Sequence, residues 1–206
     1  MKKLLYIFTT VLLLLTTKNI FATEQSVDVT KFDIAGVKLG MTIDQAVKAI
    51  TSTLNVNKSQ IKFREMQANN MLNLSSTQKS IYKITGKAQI ISFALNTNAG
   101  NYSVEFLPNV VNGKNEQMVV SLIRYTMKAS ADNMKALTES TIKKYGQPTT
   151  KNNYWCSSPP QSGCIYGNQP YLHLSPLNVI LISGTNYYEK AMKEYLNTQK
   201  TTKPVF

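Results

Sequence analysis

Residues 81 to 127 read IYKITGKAQIISFALNTNAGNYSVEFLPNVVNGKNEQMVVSLIRYTM, and this stretch decides the fold class. Ile81 to Ile84, Ile90 to Leu95, Tyr102 to Leu107 and Met118 to Met127 concentrate β-branched and aromatic residues, which suit a pleated, half-buried surface. Between them, Gly86-Lys87, Asn98-Ala99-Gly100 and Asn112-Gly113 supply turn chemistry. Connections this short join antiparallel neighbours, because a parallel pair needs a crossover of a dozen or more residues. The stretch is read as a four-stranded antiparallel meander.

Helical patterns flank it. Upstream, Thr42 is placed to cap a helix while Gln45 reaches back to it, a capping box. Ile43, Ala46, Val47, Ile50 and Leu54 then recur on one face at helical spacing. Phe32 to Met41 alternates partly like a short strand, residues 23–31 read as a flexible N-terminal segment, and Lys58 to Leu74 fits either a poorly patterned helix or an irregular segment. Downstream, a second helix starts from Ser130 with Met134, Leu137, Thr141, Ile142 and Tyr145 inward, and stops at Gly146-Gln147-Pro148. Asn153 to Cys156, Cys164 to Tyr166, Tyr171 to Leu174 and Val179 to Ile182 read as short strands. A final helix over Tyr187 to Asn197 turns Tyr188, Met192 and Tyr195 or Leu196 inward.

This order predicts an α+β fold in which helices cover one face of antiparallel sheet and leave the other for solvent or a partner. One domain is expected over 32–200, followed by a 201–206 tail. The same order is compatible with two degenerate helix-plus-meander halves, 32–128 and 129–200.

The first 22 residues predict an address. Lys2 and Lys3, the apolar run Leu4 to Leu15 and the ending Ile20-Phe21-Ala22 have the layout of a secretory signal peptide. Cleavage is expected near Ala22, with the exact bond left open by the large Ile20. Lys18 and Asn19 end the run short of the roughly 20 apolar residues that a spanning helix needs. The expected product is periplasmic or secreted, without stable membrane insertion. Losing Lys2, Lys3 and Lys18 lowers the formal charge from +12 by three, to +9. Such an excess keeps a surface solvated, or attracts an anionic envelope partner such as lipid headgroups, phosphorylated glycolipid or an acidic protein. Export and the lack of a basic run or a known binding module argue against nucleic acid.

Cys156 and Cys164 are the only cysteines, with Pro159, Pro160 and Gly163 between them. In an oxidising compartment such a pair closes a disulfide. A thioredoxin-type redox site has two intervening residues rather than seven, and His173 alone adds too little for zinc. No metal or cofactor is expected.

Gly36-Val37-Lys38-Leu39-Gly40-Met41-Thr42-Ile43-Asp44-Gln45-Ala46-Val47 resembles the opening of small bacterial envelope domains of the SmpA/OmlA (BamE) class, whose fold is shared by β-lactamase inhibitory proteins. The Gly-x-Pro turn and Trp-bearing strand of those domains are resembled by Tyr145-Gly146-Gln147-Pro148 and Tyr154-Trp155, about 100 residues downstream and after a different helix. No lipid-attachment Cys follows the leader. The resemblance implies a non-enzymatic α+β binding module and assigns no binding residue to a numbered position.

Catalytic constellations are sparse. The sequence has no Gly-x-Ser-x-Gly elbow, no phosphate-cradling Gly loop and no His-Glu-x-x-His. His173 is the only histidine, and its ring should face opposite to the Leu172 and Leu174 side chains in a strand. Asp33 and Asp44 offer a carboxylate pair, but Asp44 is explained by the dipole of the helix it opens. The expectation is no enzyme. The alternative is a secreted hydrolase whose carboxylates the sequence does not identify.

Aromatic residues gather around the cysteine loop and last helix, and Tyr and Trp favour interaction surfaces. Tyr154, Trp155, Tyr166, Tyr171 and His173 form the candidate binding surface, with Ser157 to Gly163 as a clipped edge. Beside this stands the reading that Trp155 and half the tyrosines fill the core. The expected function is that of an exported envelope protein acting as a binding or inhibitory module.

Overall fold

The computed structural model describes residues 27–67, 73–111, 117–157, 164, 169–184 and 187–201. Among them the helices are α1 (Ile43–Leu54), α2 (Ser76–Thr85), α3 (Ala131–Tyr145) and α4 (Tyr187–Thr201). The strands are β1 (Lys62–Glu65), β2 (Ile90–Asn96), β3 (Gly100–Pro108), β4 (Met118–Met127), β5 (Tyr154–Cys156), β6 (Tyr171–Ser175) and β7 (Asn178–Ile182). They form one sheet in the order β1-β2-β3-β4-β7-β6-β5, antiparallel at every pairing. The fold is α+β.

Local signals set most helix boundaries. Thr42 accepts from the Gln45 N–H while the Gln45 side chain accepts from the Thr42 N–H, and α1 begins one residue later. Ser130 caps α3, which ends at Gly146. The inward face of α3 is narrower than its pattern: Leu137 and Thr141 are buried, whereas Met134 is 39% exposed. Helix α4 runs to Thr201, one turn beyond the expected end.

Ile81 to Ile84 is helix, not strand. Ser75 and Gln78 make a reciprocal capping box, and Gly86 closes α2 with φ 69° in the left-handed region. An apolar run bounded by Gly is thereby captured by its caps, and its β-branched content is overridden. The meander consequently has three strands, β2-β3-β4. The Lys58 to Leu74 stretch, so far as it is described, holds a 3-10 turn over Lys58–Gln60 and the edge strand β1. The segment read as loose up to residue 31 also differs: Asp28 caps the 3-10 turn Val29–Lys31, and Val29 is fully buried. Phe32 to Met41 makes turns rather than a strand, with a bridge between Ile34 and Val37 across Ala35-Gly36. Residues 40–42 then pair with Val119 and Val120 at the start of β4.

The cross-strand register separates two faces. Phe63, Phe93, Val104, Ile123, Leu181, Leu172 and Trp155 form one row across all seven strands, and all but the edge residue Phe63 are buried. Residues from all four helices join this row in one apolar cluster, including Ile50, Ile81, Leu137 and Met192. Helices α1 and α3 pack against β4, whereas α2 and α4 pack against β3 and each other. The two meanders meet along β4 and β7.

The sheet margin at β5 is closed by a loop. Thr149 and Thr150 donate their backbone N–H groups to the Tyr154 carbonyl, while their hydroxyls accept from the N–H groups of Cys156 and Tyr154 respectively. Cys156 and Cys164 form a disulfide, with Cα atoms 5.8 Å apart and both residues fully buried. Among the described residues no helix is long and apolar enough to cross a membrane. The stretch expected to be a leader ending at Ala22, and residues 202–206 of the expected 201–206 tail, lie outside the described residues.

Candidate functional site

Alternation along the strands sends a second set of side chains to the face opposite the buried row. One row there is Lys62, Ala94, Ser103, Arg124, Ile180, His173 and Tyr154. The next is Arg64, Ser92, Glu105, Leu122, Ile182, Tyr171 and Cys156. A third, Asn96, Asn101, Thr126, Asn178 and Ser175, is wholly polar. In these rows every residue except Cys156 is half-buried or exposed. Six gaps between strands make the face about 29 Å wide.

The sequence-level candidates divide between the two faces. Tyr154, Tyr171 and His173 lie together on the open face. The Tyr154 and His173 rings stack at 4.1 Å between centroids with 13° between planes, and Tyr171 meets Tyr154 edge-on at 5.7 Å. His173 points away from the buried Leu172 and Leu174, as the alternation requires. Partial burial holds the His173 imidazole below its ordinary pKa of 6.5. Burial, with a smaller effect of Tyr171, raises the Tyr154 phenol.

Trp155 is not part of that surface. It is fully buried on the helix side, its indole N–H donates to the Gly146 carbonyl at 3.1 Å, and its ring meets Tyr145 edge-on at 6.4 Å. The reason is parity: Tyr154 and Cys156 take the open side of β5, so Trp155 takes the core. Tyr145 is itself fixed by donating its hydroxyl to the Asp33 carbonyl, which Lys144 also reaches at 2.9 Å. Tyr188 is buried, and that burial together with Tyr187 pushes its phenol up to about 12, whereas Tyr187 is 38% exposed. Tyr166 and residues 158–163 of the clipped loop lie outside the described residues.

Sequence reading missed the cations of this face. Arg124 is the one charged residue in the Met118–Met127 run, and that interruption was the available signal. It lies two strands from His173, about 10 Å away across the sheet, beside the half-buried Leu122, Ile180 and Ile182. Among the described residues Lys62, Arg64 and Arg124 make no ion pair. An aliphatic centre, an exposed guanidinium and an aromatic stack can together hold a partner carrying carboxylates and apolar side chains.

At one end of the sheet a cleft of about 450 Å³ brings Glu105 and Glu189 to the same walls, with Arg64 and Ser121. No group of three or more His, Cys, Asp or Glu able to hold a metal ion occurs among the described residues. No protein family, curated protein or solved structure matches this chain.

Proposed function

We propose that this chain is an exported binding or inhibitory module of the cell envelope, without enzymatic activity, which holds an acidic envelope protein on its open sheet face. The observation that carries the reading is the open-face row in which Arg124, without an ion pair among the described residues, stands between an aliphatic patch and the Tyr154–His173 stack. The leader, the basic excess and the buried disulfide support export and an anionic partner. The likeness of the Gly36 to Val47 opening to envelope binding domains points the same way.

The test is capture from an envelope extract with the wild type, Arg124→Glu, the pair Tyr154→Ala/His173→Ala, and Lys135→Glu on exposed α3 as a control. An acidic protein retained by wild type and control and weakened about tenfold or more by the open-face variants supports the reading. Capture indifferent to those variants, or capture of lipid or glycolipid alone, overturns it.

A second reading, a secreted hydrolase, is favoured by Glu105 and Glu189 sharing one cleft, since paired carboxylates can divide acid and base roles. Hydrolysis of an envelope polymer abolished by Glu105→Gln or Glu189→Gln would establish it in place of the first.

A further inference from the structure

Helices α2 and α4 flank a groove of about 740 Å³, within the size range of small-molecule sites. Thr77 donates its hydroxyl to Glu189 at 3.3 Å, joining the first turns of the two helices. Lys83 and Leu196, late in their helices, line the same groove, so the helices run in the same direction. A rise of 1.5 Å per residue puts Lys83 about 9 Å along from Thr77 and Lys193 about 6 Å along from Glu189. The two lysines therefore spring from opposite walls of the groove at levels about 3 Å apart. Neither forms an ion pair among the described residues. Met192, buried, and Leu196, half-buried, supply an apolar floor.

The geometry points to a binding site for a single-chain anionic amphiphile, its acyl chain along Met192 and Leu196 and its carboxylate between Lys83 and Lys193. An apolar trough alone would accept any oily molecule, whereas two lysines lining one groove, neither of them in an ion pair among the described residues, select a chain with a negative head. The Glu189 end, where the carboxylate is already engaged by Thr77, disfavours the head group there and fixes the orientation. Its two lysines are separate from Arg124 and the Tyr154–His173 stack.

The probe is dansyl-undecanoic acid, titrated into the purified full chain below its micelle concentration and displaced by sodium decanoate or decan-1-ol. Saturable binding is expected, with decanoate displacing about tenfold better than the neutral alcohol. Lys83→Glu/Lys193→Glu should abolish that preference at an unchanged melting temperature, and Leu196→Asp should weaken acid and alcohol alike. Arg124→Glu should leave binding intact. Absence of saturable binding, an acid preference surviving in the double lysine variant, displacement by inorganic phosphate alone, or loss of binding in Arg124→Glu overturns the assignment.

Discussion

Tyr154 and Trp155 are adjacent in sequence and opposite in environment, so paired substitutions test the face assignment directly. Trp155→Phe removes the indole hydrogen bond to Gly146, a loss of about 1 kcal/mol. The smaller ring buries about 40 Å² less apolar surface, which at about 25 cal/mol per Å² is another ~1 kcal/mol. The void left in the fully buried site adds a cavity cost of about 1 kcal/mol. The total, about 3 kcal/mol, corresponds to a fall in Tm of about 6–12 °C for a chain of this size. Tyr154→Ala loses its stack on His173 in a half-exposed setting, about 1 kcal/mol. Thermal and urea denaturation followed by far-UV circular dichroism measure both, and the capture assay completes the contrast. Trp155→Phe should lose stability and keep the partner; Tyr154→Ala should keep most stability and lose the partner. Equal destabilisation by the two, or a Tm loss below about 2 °C for Trp155→Phe, would refute the register on which the open face rests.

As the only histidine, His173 gives a single imidazole signal, and its NMR titration should have a midpoint below 6.5 because burial disfavours its charged form. The folded state then binds fewer protons than the unfolded one, so stability should fall as pH drops through 6.5 toward that midpoint, and His173→Asn should remove this part of the acid sensitivity. Untreated protein should show no free thiols, and replacing Cys156 and Cys164 together by Ala should cost about 2.5 kcal/mol from loss of the nine-residue closed loop, measured by urea denaturation with reductant having no further effect. Gly36 combines φ 79° with a close approach, since an added Cβ would lie 2.5 Å from Thr53 Oγ1. Gly36→Ala should therefore lose about 2 kcal/mol in urea denaturation, and Gly36→Ala/Thr53→Ala should recover only the share due to the clash.

What could be read from the sequence was what short-range chemistry decides. Thr42 with Gln45 and Ser130 with Gly146 fix helix ends through hydrogen bonds that span a few residues, and those ends are visible in the letters. Ile81 to Ile84 was misread because an apolar, partly β-branched run carries no period of its own. Its state depended on Ser75 and Gln78 upstream. That error also concealed the α2–α4 groove, which exists only if this run is helical. The α+β class and the antiparallel pairings of β2 to β4 followed from turn lengths. The pairing of β4 with β7 did not, being set by contacts more than fifty residues apart. The candidate surface was half legible. Alternation placed His173 opposite Leu172 and Leu174, but three residues of β5 are too few to say which side is buried, so Tyr154 and Trp155 were grouped together.

The Thr149–Thr150 loop beside β5 also governs how this protein behaves in a crowd. Open-ended growth by strand addition requires a head that fits a tail, and here the β5 head has the Tyr154 N–H and carbonyl and the Cys156 N–H already occupied. The other margin, β1, carries the exposed charged side chains Lys62, Arg64 and Glu65, which make an edge a poor template for another strand. Growth of the sheet into a fibre is hindered at one end by hydrogen bonds already made and discouraged at the other by charged side chains. High local concentration should thus favour separate molecules over filaments, leaving the broad face accessible.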